Sequence, residues 1–130
     1  MLLVNARRGP SLIHGTGLIA RELIAKGTQI WRFMPGFDVA ITETELARLP
    51  PASRQQAIDW SYFDLKTRTF VMSSDDDRFT NHSDTPNTVA TPDGSVAIQD
   101  IQIDDEITID YSELVVVNFP YLNNYGVLLP

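Results

Sequence analysis

From residue 61 to residue 111 the chain never stays apolar for long before a turn signal interrupts it. "SYFDL" and "TFVM" flank the turn "KTRT", "NTVA" and "SVAIQDI" flank "TPDG", and "DEITIDY" closes the series at 105–111. Each run is short, rich in β-branched or aromatic residues, and bounded by turn formers, which is the signature of short strands joined by tight connections. The Asp-Gly of "TPDG" is a hairpin signal. In the last run Ile107, Ile109 and Tyr111 alternate with Thr108 and Asp110, so one face reads as apolar and the other as polar. Small sheets are what such a sequence can build.

The first half adds strands and one helical insert. "LLVN" (2–5), "TQIWRF" (28–33) and the end of "PGFDVAI" (35–41) read as strands. At "TETELARLPP" Thr42 and Glu45 have the spacing of a capping box, and Pro50 and Pro51 stop that helix. Pro51 then opens "PASRQQAIDW" at the position where proline suits a helix start. The expected class is mostly β with a helical insert at about 42–60. At 130 residues the chain is long enough for one domain with a real core, spanning 1–130. The tail from 112 to 130 is apolar and aromatic, so it is expected to pack onto the body.

Charge narrows the partners. Acidic residues outnumber basic ones 17 to 10, a net charge of −7, which argues against direct nucleic-acid binding because phosphates need a basic surface. It suits a basic partner such as a lysine-rich segment of another protein, though the same acidity also simply keeps a protein soluble. There is no cysteine, hence no disulfide, no thiolate nucleophile and no cysteine-based zinc site. The two histidines, His14 and His82, have no metal-ligand spacing with "SSDDD", which reads as a solvated loop, so no metal is expected. No stretch approaches the ~20 apolar residues of a membrane span, and "MLLVNARRGPS" is too short in apolar residues for a signal peptide. A cytoplasmic setting is the default expectation.

Three stretches have the composition of functional sites. "HGTGLIAREL" (14–23) carries Gly15 and Gly17, which permit a tight turn or a close backbone approach to a ligand. With Ala20 they also spell G-x-G-x-x-A, with Asp38 downstream, a variant of the dinucleotide fingerprint that would make "LIARELIAK" a helix. That reading needs βαβ units around it, and residues 61–111 read as hairpins instead. "RFTNHSDTPN" (78–87) places turn-forming Asn, His, Ser and Pro directly after Phe79, as if a polar loop dipped into the core. Alone, Asn81 and His82 are as consistent with satisfying a turn's backbone as with holding a ligand. "DDEITIDY" by itself is a half-buried strand.

In this order, "HGTGLIARELIAKGTQI", "DRFTNHSDTPNT" and "DDEITIDYSEL" together resemble the SET-domain family of protein lysine methyltransferases, over about residues 13–111. The family patterns are a G-x-G turn, R-F-x-N-H-S-x-x-P-N and a closing E-[LI]-T-x-D-Y. The resemblance implies a β-clip-like SET fold of small curved sheets with a threaded C-terminal pseudoknot, the segment around Asn81 being the strand that passes through. It implies S-adenosyl-L-methionine as cofactor, with Arg78, Asn81 and His82 on one side and Gly15, Thr16 and Gly17 on the other. Tyr111 matches the family's closing tyrosine, implied to orient the methyl and the amine. A general-base role does not suit a phenol whose ordinary pKa is ~10.

Departures from the family pattern leave the substrate channel less defined. The tyrosine of the family's Y-L-F-D-L sits one position along, at Tyr62, and a shift of one residue turns a side chain to the other strand face. Trp60 is the alternative on that wall. Phe33 or Met34 must serve where many relatives have a tyrosine, and Ile109 stands where an aromatic is common. Phe119, Tyr121 and Tyr125 take the place of missing zinc-binding cysteines, to cover the adenine or to fill the core. A second reading follows from these changes: a catalytically silent SET-fold module that binds peptide or cofactor without turnover.

Overall fold

The computed structural model describes residues 1–64 and 66–112. The expected mostly-β architecture is what forms. Among these residues ten short strands follow in order: β1 (Ala6–Pro10), β2 (Thr16–Ala20), β3 (Gln29–Arg32), β4 (Val39–Thr42), β5 (Ser61–Asp64), β6 (Thr69–Met72), β7 (Asn81–His82), β8 (Thr88–Thr91), β9 (Gly94–Ala97) and β10 (Glu106–Ile109). Helices α1 (Glu43–Arg48) and α2 (Pro51–Asp59) interrupt them after β4. They make three small sheets, ordered β1-β2-β10-β7, β3-β9-β8 and β4-β6-β5.

The local signals hold where their partners are local. Thr42 accepts from the Glu45 backbone N–H while the Glu45 carboxylate accepts from the Thr42 N–H, closing the capping box, and Pro51 starts α2. The β8–β9 hairpin turns at Pro92 and Asp93, between Thr91 and its register partner Gly94. One expectation fails, and one rival reading is settled. Residues 2–5 form no strand, only an isolated bridge from Leu2 to Trp31. Residues 16–20 form β2 rather than the start of a helix, and β2 pairs antiparallel with β1 and β10. A glycine-rich hairpin with no helix behind it removes the dinucleotide-fold reading.

Two apolar clusters hold the sheets. Leu18, Ala20, Ile24, Ile30, Ala97, Ile101 and Ile107 join the first two sheets, and Leu46, Ala57, Phe63 and Phe70 pin the helical insert to the third. The second cluster includes the Phe63–Phe70 ring pair at 4.9 Å. β10 belongs to the core on both faces. Ile107 and Ile109 are buried as alternation requires, but Thr108, assigned to a polar face, is buried too.

Thr108 can be buried because its polar atoms are met. Its backbone N–H donates to Asn87 Oδ1 at 2.8 Å, and its carbonyl accepts from Thr88 Oγ1 at 2.7 Å. Asn87 also donates to the Glu106 carbonyl at 2.8 Å, so one side-chain amide serves β10 as a strand edge would. β7 meets β10 in parallel, Asn81 opposite Thr108 and His82 opposite Ile109, while the other strand pairs are antiparallel. The polar decapeptide therefore enters the core because both its asparagines are tied down there. The aromatic tail residues Phe119, Tyr121 and Tyr125 lie outside the described residues.

Candidate active site

Asn81 gathers the first part of the site. It is buried, and its side-chain Nδ2 lies 3.1 Å from Ser11 Oγ, 3.0 Å from the His14 carbonyl, 3.2 Å from the Thr16 carbonyl and 3.0 Å from Glu106 Oε2. Ser11 Oγ donates to the other Glu106 oxygen at 2.7 Å. The amide thus ties the β1–β2 turn to β10, and its N–H groups face protein acceptors. Glu106 was not singled out from the sequence. The signal was the acidic residue opening the last strand, which only the fold brings against Gly17.

The two glycines of the G-x-G turn have different reasons to be glycine. Gly15 has φ +47°, a left-handed conformation that penalises a Cβ, and the space beside it is open. Gly17 has no room: a Cβ there would lie 2.6 Å from Glu106 Oε2 and 3.1 Å from Ser11 Cβ. Gly17 is a packing glycine against the Glu106 carboxylate, and the open side of the turn is at Gly15.

His82 and Tyr111 join this cluster to a pocket. The Tyr111 backbone N–H donates to His82 Nδ1 at 3.0 Å, so Nδ1 is the unprotonated nitrogen and Nε2–H faces Asp84 at 2.8 Å. The two rings lie 5.5 Å apart. Tyr111 Oη donates to the Thr80 carbonyl at 2.6 Å. With its proton so directed, the phenol oxygen keeps its lone pairs for another donor.

The pocket, about 170 Å³, opens where the three sheets meet. Trp60, Tyr62, Arg78, Ile109 and Tyr111 all line it, so five residues singled out from sequence share one cavity. Arg78 stacks over Trp60 at 5.4 Å and donates to the Ser73 carbonyl, on the pocket wall rather than in the Asn81 cluster. Trp60 also packs edge-on against Phe79. Trp31 lines the pocket and meets Phe33 edge-on at 6.4 Å, while neither Phe33 nor Met34 is among the described residues that line it.

Asp77, another residue missed in sequence, acts on both pocket phenols. "SSDDD" is not a solvated loop: Asp75 accepts from the Leu2 N–H at 2.8 Å and caps a 3-10 turn at Asp76–Phe79, and Asp77 lines the pocket. Burial pushes the Asp77 carboxyl up to about 6, helped by Asp75 and opposed by the Ser73 hydroxyl, which donates at 2.8 Å. Burial also raises Tyr62, with Asp64, Asp77 and Asp38 adding to it. Tyr111 is raised by burial and then by Asp77 and Glu106. Both phenols therefore stay protonated at neutral pH.

The acceptors around these residues, the carboxylates of Glu106 and Asp77 and the Tyr111 oxygen, suit a cationic ligand. No helix among the described residues is long and apolar enough to cross a membrane.

The family model of the SET domain matches residues 15–112. No curated protein matches the sequence. Among solved structures, a candidate histone methyltransferase of Plasmodium falciparum aligns at 23% identity and TM-score 0.62, covering 85% of this chain and 95% of that one. A humanized mutant Polycomb Repressive Complex 2 from Chaetomium thermophilum, bound to the inhibitor GSK126, aligns at 19% identity and TM-score 0.62, covering 85% of this chain. An apo form of that complex with substitutions in Ezh2 aligns at 20% identity and TM-score 0.69 over 95% of this chain. This chain spans only 15% and 16% of those two longer chains. At these identities the likeness is one of fold.

Proposed function

This chain belongs to the SET-domain family of methyltransferases, and from that premise we propose that it transfers methyl groups from S-adenosyl-L-methionine to a lysine side chain of a basic protein or peptide. The observation that carries the reading is the pocket. At about 170 Å³ it is well below the ~300–1,000 Å³ of a small-molecule cleft, and suits one inserted side chain. Its walls include Val71, Ile107 and Ile109, while the Tyr62 and Tyr111 phenols and the Asp77 carboxylate supply polar contacts.

On this reading the apolar walls disfavour the ammonium form of an inserted lysine, whose ordinary pKa is about 10.4. The Tyr111 oxygen accepts an N–H from the amine and so fixes its direction, the hydroxyl proton being held by Thr80. Tyr62 and Trp60 line the channel, and Ile109 limits its width. The open side of Gly15, the Thr16 backbone, Asn81 and His82 border the cofactor, with Glu106 keeping the Gly15–Gly17 turn in place, and Arg78 stays on the pocket wall. When bound, the cofactor supplies a methyl on a positively charged sulfur. The protein's contribution is alignment, which is worth as much as ~7–11 kcal/mol when two reactants are held in line.

The test is transfer of radiolabelled methyl from the cofactor to a basic protein mixture, with the product mapped by peptide. Label on lysine is expected. Cofactor binding without label on any substrate would instead mark a silent binding module, and preference for NAD over S-adenosyl-L-methionine would overturn both.

A further inference from the structure

We propose that Asp77 receives the substrate lysine's ammonium in the pocket and takes its proton, a role that rests on the lysine-methyltransferase reading above. Among the described residues, three groups lining the pocket carry formal charge: Asp59, Asp77 and Arg78. Asp59 is exposed at the end of α2 and held by Gln55, and Arg78 is turned onto Trp60 and the Ser73 carbonyl. Asp77 is the carboxylate that remains for the interior.

Its two oxygens are not equally engaged. Oδ2 accepts from Ser73 Oγ at 2.8 Å. Oδ1 has Thr80 Oγ1 at 3.5 Å, but that hydroxyl makes its shorter contact, 2.8 Å, with the Asp77 backbone carbonyl. Oδ1 therefore keeps acceptor capacity for an N–H donor. The same carboxylate acts electrostatically on both pocket phenols, Tyr62 from β5 and Tyr111 after β10, so its charge lies within reach of the place where an amine would meet them. Asp75 and Asp38 face it with like charge, and the N-terminal ammonium with opposite charge.

The chemistry requires a proton acceptor. An ammonium has no lone pair, so the Nζ–H bond must break before nitrogen can attack. Here the Oδ1–H bond forms as Nζ–H breaks, the pair left on nitrogen is the attacking pair, and the proton leaves from Asp77 to solvent once the product has left the pocket. A carboxyl that burial has brought closer to neutrality is better matched to this than an ordinary aspartate. The apolar walls and the cationic methyl donor lower the amine's own hold on the proton.

The experiment compares wild type with Asp77→Asn in methyl transfer to a random lysine-containing peptide library, from pH 6 to 10. Wild type is expected to plateau above about pH 7, while the variant rises about tenfold per pH unit as free amine appears, so their ratio falls from ~10²-fold or more near pH 7 toward one near pH 10. A ratio that does not change with pH would overturn the proton role and leave the lysine reading intact. No transfer by wild type at any pH would overturn the lysine reading itself.

A binding arm is independent of turnover. Asp77→Asn is expected to weaken Nα-acetyl-lysine amide and leave Nα-acetyl-norleucine amide unchanged. Equal loss of both probes would overturn recognition by the carboxylate. Ser73→Ala serves as the second variant. Removing the hydroxyl that lowers the Asp77 pKa should move the acid limb of the rate profile to higher pH, and an unmoved limb would count against Asp77.

Discussion

The Tyr111 hydroxyl stands 2.6 Å from the Thr80 carbonyl, one residue before Asn81, so the pocket phenol is anchored on the same segment that builds the Asn81 cluster. Tyr111→Phe removes that bond and keeps the ring against His82. Stability should fall by about 1 kcal/mol, the usual net worth of one hydrogen bond. Turnover should fall by ~10²-fold or more if the oxygen acts mainly in the transition state. Steady-state kinetics beside urea unfolding separates the two effects, and equal activity would remove Tyr111 from the chemistry.

Gly17→Ala should be destabilising because the new methyl displaces the Glu106 carboxylate from Ser11 and Asn81. Hydrogen bonds to a charged group are worth ~1.5–3 kcal/mol, which sets the expected loss. In a Glu106→Ala background the same change should cost little. A double-mutant cycle by urea unfolding reads this directly, and additive losses would mean the contact is not what makes position 17 glycine.

Asn81→Asp would place a second carboxylate 3.0 Å from Glu106 Oε2. Like charges at that distance raise the pKa of the pair, so the folded state binds protons more tightly than the unfolded chain. The variant should be closest to wild-type stability below about pH 4 and lose ground as pH rises through the raised value. Asn81→Ala should lack this pH dependence and, by freeing the β1–β2 turn from β10, weaken S-adenosyl-L-methionine binding, measured by calorimetry, by roughly 5- to 150-fold.

Asp77 makes a linked prediction for the wild type. Its folded pKa of about 6 lies above the ordinary 3.8, so its stabilising contribution is complete below the ordinary value and lost as pH rises through about 6. Asp77→Asn, whose side-chain oxygen can still accept from Ser73, should be the more stable protein at pH 8. The gain is at most about 3 kcal/mol at ~1.4 kcal/mol per pH unit, and it should vanish near pH 4. Urea unfolding across that range decides it. A half-buried carboxylate kept at such a cost is the pattern of a site maintained for function.

Ile109 is buried and lines the pocket. It offers no hydrogen bond and less bulk than a ring, so a methylated amine has room to rotate and present its lone pair again. The wild type should reach di- or trimethyl-lysine, and Ile109→Tyr should shift the product toward monomethyl-lysine. Mass spectrometry of a product peptide at long times, with excess cofactor, is the measurement; a wild type that stops at one methyl would mean another residue closes the site.

What could be read in advance followed the range of the interactions. The Thr42–Glu45 capping box, the Pro51 helix start and the "TPDG" hairpin depend on neighbours within a few residues, and each formed as expected. "LLVN" and "SSDDD" were misjudged because their partners are remote. Leu2 meets Trp31, and its backbone N–H meets Asp75 across the sequence, so neither segment's environment is written in its own composition. The motif residues around Asn81 and Tyr111 were recognisable as types. Glu106 and Asp77 were not, because only folding brings one against Gly17 and the other beside two phenols.

The parallel pairing of β7 with β10 also bears on the time course of folding. Asn81 needs Ser11, His14 and Thr16 from one end of the chain and Glu106 from the other, so its cluster closes only after distant segments have met. Contacts of such long sequence separation form late and slowly, whereas the α1–α2 insert and the β8–β9 hairpin can form early from local contacts. A partly folded chain would thus carry finished helices and hairpins and no finished site. Recovery of ligand binding should lag behind recovery of helical signal on refolding, which makes binding competence a report that the whole β7–β10 junction has been assembled.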